Sequence, residues 1–207
     1  MSDTTTTTEI DYKARFIELL KSTNRKGVDD TIAALEKIGF FAAPASSKHH
    51  LAEKGGLVRH SLNVCAQAQA IAAAQITLRP EIAERLPAES VVIAALLHDI
   101  CKADVYKPVE KFRKDKNNQW EKYQTFECDY TACPLGHGEK SVIRLLRMGL
   151  ELTNDEIAAI RWHMAAWDLP DSYEAKGNFG AACDKYPLLP VLIAADELAT
   201  RITEVAV

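Results

Sequence analysis

The stretch that decides the fold is Val91-Val92-Ile93-Ala94-Ala95-Leu96-Leu97-His98-Asp99-Ile100-Cys101-Lys102. Its first seven residues are all apolar, a pattern that predicts a helix buried on every side. The run ends in a histidine and an aspartate, and burying this pair costs several kcal/mol unless a partner neutralises it. A divalent metal ion satisfies both side chains, so we expect a metal site at the end of a buried helix.

Other potential metal ligands occur at a distance, each on its own predicted helix: His60, His137, His163 and Asp196. Imidazole nitrogen and carboxylate oxygen are the ligands preferred by Mn, Fe, Zn, Ni and, less so, Mg. One octahedral metal ion with positions left for water could be held by His60, His98, Asp99 and Asp196. Adding His137 and His163 would allow a second metal ion beside the first.

The order His, then His-Asp, then a distant Asp resembles the HD-domain metal-dependent phosphohydrolases. The segments similar to the most diagnostic ones of that family are Gly55-Gly56-Leu57-Val58-Arg59-His60-Ser61-Leu62 and Leu96-Leu97-His98-Asp99-Ile100-Cys101-Lys102. The resemblance covers about residues 40 to 205. His137 and His163 resemble the extra histidines of the two-metal branch, and the match is closest to the HD domain of 3′-to-5′ exoribonucleases.

This resemblance implies an all-α fold, an HD-domain helical bundle, with one or two divalent metal ions (Mn, Fe, Ni, Zn or Mg) held by the six residues above. Asp99 is then expected to bridge the metal ions and to orient the attacking water. Lys102 matches the lysine of the family's His-Asp-x-x-Lys pattern and is expected to neutralise the phosphate. Further candidates for phosphate contact are Lys48, Lys140 and Arg144.

Composition indicates one domain at residues 9–207 after a disordered start at residues 1–8. A chain of 207 residues with 47% hydrophobic residues is long enough to bury a core. We find neither an apolar run of about 20 residues nor a secretory signal, which predicts a cytoplasmic protein without membrane contact. The net charge of −4 argues against coating of long nucleic acid.

Apolar residues at helical spacing predict helices at residues 10–21, at 28–37, after Gly55-Gly56, and from Pro187 to about Val205. Ser90 is the expected N-cap of the central helix. Thr153-Asn154-Asp155-Glu156 predicts a capping box at the start of the helix that carries His163. Residues 168–186 contain Pro170, Gly177 and Gly180, with Pro187 just beyond, and predict a long loop.

A β-hairpin is predicted as an insertion at about residues 105–128, around the turn-forming segment Asp115-Lys116-Asn117-Asn118. Residues 102 to 122 contain seven basic and four acidic residues. The hairpin is therefore either a lid that brings basic and aromatic groups over a nucleotide, or a solvated surface excursion whose aromatic residues pack on the domain.

The cysteines and two further histidines are not included in the predicted ligand set. Five cysteines, an odd number without framework spacing, fit a reducing compartment. Cys101 is interpreted as a small hydrophobic residue in an apolar helix. His49 and His50 lie in a predicted connector; they could be metal ligands, but an interpretation as surface or substrate-edge histidines is favoured.

The leading functional prediction is a metal-dependent phosphoric ester hydrolase, a phosphomonoesterase or phosphodiesterase, acting on a nucleotide or short oligonucleotide. An oligomer is compatible with the sequence. One alternative is a noncatalytic metal- and nucleotide-binding sensor that regulates a partner. Another is a purely structural helical domain, which would require the histidines and aspartates to fall in the family order by chance.

Overall fold

Helices make up most of the protein, and a small hairpin interrupts them. The computed structural model describes residues 11–205, and within that range the α-helices are α1 Tyr12–Ser22, α2 Val28–Lys37, α3 Gly56–Leu78, α4 Ala88–Leu97, α5 His137–Arg147, α6 Asn154–Trp162, α7 Tyr173–Lys185 and α8 Leu188–Leu198. The strands are β1 Tyr106–Lys114 and β2 Trp120–Cys128. The predicted all-α class with an inserted hairpin is confirmed; the predicted disordered segment 1–8 lies outside the described residues.

The apolar helix α4 lies at the centre, where it contacts α1, α3, α6 and α8. Every residue from Ser90 to Leu97 is buried, as the unbroken apolar run predicts. Ser90 itself is not the N-cap, because the extended backbone of Pro87 already ends the preceding segment and α4 begins at Ala88. The buried Ser90 hydroxyl instead donates to Glu156 Oε1 at 2.6 Å and ties α4 to α6.

The N-terminal helices confirm their predicted positions and add aromatic side chains to the core. Phe16 and Leu20 of α1 are fully buried, and the Phe16 ring lies 5.2 Å from that of Phe40. The boundaries of α2 are those predicted, and Gly39 follows with a φ of +77°, a left-handed conformation that favours glycine.

A close approach of backbones at Gly56 sets the position of α3. A Cβ at this residue would lie 2.0 Å from the carbonyl oxygen of Leu51, so only glycine fits. The connector that carries His49 and His50 therefore lies directly against the first turn of the helix that carries His60.

The hairpin has the predicted position and a regular antiparallel register, from Tyr106 opposite Cys128 to Lys114 opposite Trp120. Its exposed face carries Phe112 and Trp120, which are 66% and 69% exposed. The prediction that the hairpin aromatics pack on the domain is therefore wrong for these two residues. Whether the hairpin acts as a lid stays a prediction.

The predicted loop at 168–186 is wrong, because most of it is the helix α7. The Ser172 side chain caps this helix by accepting a hydrogen bond from the Ala175 N–H at 3.1 Å. Phe179 packs against Trp162 of α6, with ring centroids 5.9 Å apart. Two glycines inside a helix cost about 1 kcal/mol each, which such a cap and such packing can offset.

The last predicted helix is also divided, because α8 ends at Leu198 and a π-helical turn, Ala199–Thr203, follows it.

The capping box at Thr153 is confirmed, with Thr153 and Glu156 exchanging hydrogen bonds. None of the helices between residues 11 and 205 combines the length and apolar character needed to span a bilayer.

Candidate metal centre

Asp99 is the centre of a buried cluster of histidines. Its side chain is 1% exposed, and each of its two oxygens faces two imidazole rings. His137 Nε2 lies 2.5 Å from Oδ1 and His163 Nε2 lies 3.4 Å from it. His60 Nε2 and His98 Nε2 each lie 3.4 Å from Oδ2.

Five elements bring these side chains together. His60 lies within α3, His98 follows the last residue of α4, His137 begins α5 and His163 follows α6. Asp196 of α8 completes the set, with Oδ1 3.2 Å from His60 Nε2. All six side chains that the sequence predicts as ligands thus converge, whereas the role of each as a ligand stays a prediction.

The helix carrying His137 approaches the helix carrying His163 because of a glycine. A Cβ on Gly138 would lie 2.0 Å from the carbonyl oxygen of Arg161, so a larger residue would force α5 and α6 apart. The two imidazole rings lie 5.3 Å apart between their centroids. Nothing in the sequence indicated the role of this glycine, although it determines how closely α5 approaches α6.

His137 Nε2 hydrogen-bonds to Asp99 Oδ1, but four other atoms that face into the cluster lack hydrogen-bond partners among the described residues. These buried atoms are Nε2 of His60, His98 and His163 and Oδ2 of Asp99. Charged atoms of neighbouring side chains lie close to these four atoms, but at angles that do not suit a hydrogen bond. Lys102 Nζ lies 2.6 Å from Asp99 Oδ2 and forms an ion pair with it. Because an unsatisfied buried polar atom costs about 1–3 kcal/mol, three imidazole nitrogens without hydrogen-bond partners around one carboxylate fit a bound cation.

The opposite nitrogens of the same rings are engaged. His98 Nδ1 donates to the Ala95 carbonyl at 2.9 Å, and His163 Nδ1 donates to the Ile160 carbonyl at 2.7 Å. A carbonyl oxygen can only accept, so the proton is on Nδ1 and the lone pair of each neutral ring is on Nε2. This arrangement aims two ligand lone pairs into the cluster.

The electrostatics keep Asp99 ionised. Burial alone would raise the pKa of Asp99, but the adjacent Lys102 ammonium, with further contributions from His98 and His137, holds it well below its usual range. Burial lowers the pKa of His60, yet the carboxylates of Asp196, Asp99 and Glu204 hold it well above its usual value. Protons and a metal ion therefore compete for the same atoms, and metal binding is expected to release protons.

Four overlapping groups of side chains in the described part of the chain have ligand atoms close enough to hold a metal ion. They are His50, His60 and Glu204; His60, His98 and Asp196; His98, Asp99 and His163; and Asp99, Cys101 and His137. The prediction that this protein could bind a divalent metal ion is supported at this level. The identity and number of the ions stay predictions.

Three members of these groups were not among the six predicted ligands: His50, Cys101 and Glu204. Cys101 was interpreted as part of an apolar helix, but α4 ends at Leu97 and the turn Ile100–Asp104 brings Cys101 Sγ within 3.3 Å of His137 Nε2. His50 carries a buried Nε2 without a hydrogen-bond partner in the described residues. Its closeness in sequence to His60 was a signal, whereas nothing local distinguishes Glu204.

The cations expected to contact phosphate have different environments. Lys102 is 15% exposed and lies beside Asp99. Lys140 and Arg144 both pair with Asp104 instead, and the Lys140 side chain is only 4% exposed. Lys48 is exposed in the connector. The structure therefore brings Lys102, but not Lys48, Lys140 or Arg144, into contact with the histidine cluster.

A cavity of about 1010 Å³ opens beside the cluster. Lys102, His163 and Asp196 form its inner wall, and Trp167 and Ile193 are among the apolar residues on its sides. Cavities of this size accommodate drug-sized or nucleotide-sized ligands. The cluster is therefore accessible to a small molecule even though most of its side chains are buried.

Comparison with known proteins gives one partial similarity. Residues 32–129 match the model of the TraI_2 family, described as "putative helicase". The matched segment is less than half of the chain; it contains His60, His98, Asp99 and Lys102 and ends before His137. Neither the curated proteins nor the solved structures contain a match. The resemblance to HD-domain phosphohydrolases finds no support in these comparisons and stays a prediction.

Proposed function

We propose that this protein is a metal-dependent phosphohydrolase that cleaves a phosphomonoester or phosphodiester of a nucleotide or short oligonucleotide. The observation that carries the proposal is the ring of buried, unpartnered Nε2 atoms around Asp99 at the inner wall of a large cavity. A metal ion bound there would supply Lewis acidity and lower the pKa of a water molecule toward neutrality.

The residues of the chain have separate tasks in this proposal. Asp99 remains anionic and presents one oxygen to each side of the cluster, so it can orient a water molecule by accepting its proton in a hydrogen bond. Lys102 is positioned to neutralise phosphoryl oxygens, because its ammonium group lies beside Asp99 and also lines the cavity.

The side walls of the cavity favour an organic phosphate over inorganic polyphosphate as the substrate. Leu51, Met164 and Trp167 present apolar or aromatic surface next to the polar inner wall. A nucleobase stacked on an aromatic ring gains about 1–3 kcal/mol. The partial match to a family described as "putative helicase" favours an enzyme over a purely structural domain.

The test is hydrolysis of bis-p-nitrophenyl phosphate and p-nitrophenyl phosphate in the presence of Mn²⁺, with Asp99→Asn and the surface variant Asp171→Asn compared. We expect metal-dependent turnover in the wild type and in Asp171→Asn, because the Asp171 side chain is 95% exposed. We expect none in Asp99→Asn. Absence of turnover with any of Mn, Fe, Ni, Zn and Mg would contradict the proposal, and nucleotide binding without turnover would favour the sensor.

A further inference from the structure

His60 is held between two carboxylates that come from the same C-terminal segment. Asp196 Oδ1 lies 3.2 Å from His60 Nε2 on the side of the cluster. On the other side, His60 Nδ1 lies 3.0 Å from Glu204 Oε1 and 3.2 Å from Glu204 Oε2. The ring is fully buried, so both of its nitrogens find their polar neighbours within the protein.

A π-helical turn sets the direction of Glu204. The Glu204 N–H donates to the Ala199 carbonyl at 3.0 Å, across one more residue than in an α-helix. In a regular α-helix, residues eight positions apart differ by about 80° around the axis. The wider turn changes this angle, and here both acids of the segment, Asp196 and Glu204, contact one imidazole. Such turns occur frequently at functional sites.

The Glu204 carboxylate is itself fixed. Its side chain is 1% exposed, and Asn63 of α3 donates to Oε1 at 3.0 Å. Asn63 and His60 lie three residues apart on the same helix, so one carboxylate joins two neighbouring side chains of α3 to the C-terminal segment. A group held in this way can hold the imidazole in one orientation.

We propose that Glu204 is a positioning residue for the metal centre. It accepts the Nδ1 proton of His60, so that the Nε2 lone pair, when the ring is neutral, is directed into the cluster beside Asp99 and Asp196. His98 and His163 use backbone carbonyls for this purpose, whereas the carboxylate on His60 also raises the basicity of the ring. The inference rests on the metal binding of the proposed function, and it does not depend on hydrolysis.

The test is calorimetric titration of metal-free protein with Mn²⁺, using Glu204→Gln and Glu204→Ala. Loss of a group that orients a metal-binding histidine typically weakens metal affinity about 10- to 100-fold. We expect the alanine variant near the upper end and the glutamine variant near the lower end, because the glutamine amide oxygen can still accept the Nδ1 proton. Glu197→Gln is the matched control, since Glu197 belongs to the same segment, is 48% exposed and pairs with Arg201; we expect its Kd to be unchanged.

Thermal unfolding of the metal-free proteins separates positioning from general stability. Mn²⁺ dissociation constants equal to that of the wild type in both Glu204 variants would overturn the proposal, even if both variants unfolded at lower temperature. If Glu204→Ala does not fold, the comparison of Glu204→Gln with Glu197→Gln decides. A wild-type protein that binds Mn²⁺ without hydrolysing any phosphoester would contradict the proposed hydrolase activity but not the role of Glu204. A wild-type protein that binds no Mn²⁺ would overturn both.

Discussion

Asp99 and Asp104 lie five positions apart in one stretch of chain, and their surroundings differ. Both oxygens of Asp104 are matched by cations, with Lys140 Nζ 3.0 Å from Oδ1 and Arg144 donating to Oδ2. Asp99 is more deeply buried and faces unpartnered imidazole nitrogens. The chain thus pairs both oxygens of Asp104 with cations, whereas Asp99, besides its ion pair with Lys102, faces imidazole nitrogens in an arrangement that a metal ion would complete.

The largest expected effect separates the two aspartates by metal affinity. Asp99→Asn removes the negative charge of the carboxylate whose two oxygens each face two imidazole rings. We therefore expect the Kd for Mn²⁺ to rise by more than about 100-fold. Asp104→Asn should leave that Kd almost unchanged. Calorimetric titration of both variants measures the difference. An equal loss of Mn²⁺ affinity in the two variants would contradict the distinction between Asp99 and Asp104.

Metal binding should stabilise the fold through the Asp99 cluster alone. At a free Mn²⁺ concentration of 100 times the Kd, the free energy of unfolding should rise by about 2.7 kcal/mol, because the ion binds only the folded state. Addition of a chelator should reverse the shift. Thermal unfolding should show this increase in the wild type and in Asp104→Asn, and no increase in Asp99→Asn; an increase that survives in Asp99→Asn would place the ion elsewhere.

The two lysines beside these aspartates should differ in the same way. Lys102→Met is expected to lower kcat/KM for bis-p-nitrophenyl phosphate by about 10- to 100-fold, since a hydrogen bond to a charged group contributes about 1.5–3 kcal/mol. Metal content should be retained. Lys140→Met should leave kcat/KM unchanged, because this lysine is 4% exposed and paired with Asp104. Steady-state kinetics test both; a loss in Lys140→Met matching that in Lys102→Met would contradict the separation.

The smallest effect concerns stability at Asp104. Asp104→Asn leaves the buried ammonium of Lys140 without its counter-charge, and we expect the free energy of unfolding to fall by about 1–2 kcal/mol, a discounted value because the Asp104 side chain is 28% exposed. Urea denaturation of the metal-free protein measures this change. An unchanged midpoint would mean that Lys140 finds another partner.

Residue patterns predicted the parts of the fold that depend on local chemistry. The unbroken apolar run fixed the burial of α4, and the turn residues after β1 placed the hairpin. Ser90 failed as an N-cap because Pro87 had already set the start of the helix. Helix α7 was missed because its glycines favour a loop locally, whereas packing of Phe179 on Trp162 is a tertiary contact.

Some residues of the site could likewise be predicted from the sequence, and others could not. Histidines and aspartates interrupting apolar helices carry a visible signal, because an ionisable group in such a place needs a partner. Glu204 carries none, since its contact with His60 depends on a π-helical turn that the sequence does not indicate. Cys101 was misjudged because it lies four positions after the last residue of α4, and the direction of its side chain depends on where that helix ends.

Metal analysis of protein purified without chelator tests the central claim most directly. We expect at least one divalent metal ion per chain, and a value near two if His137 and His163 complete a second position, with the content lost in Asp99→Asn and kept in Asp104→Asn. A wild-type protein that contains no bound metal and takes up none on incubation with Mn²⁺, Fe²⁺, Ni²⁺, Zn²⁺ or Mg²⁺ would contradict the account.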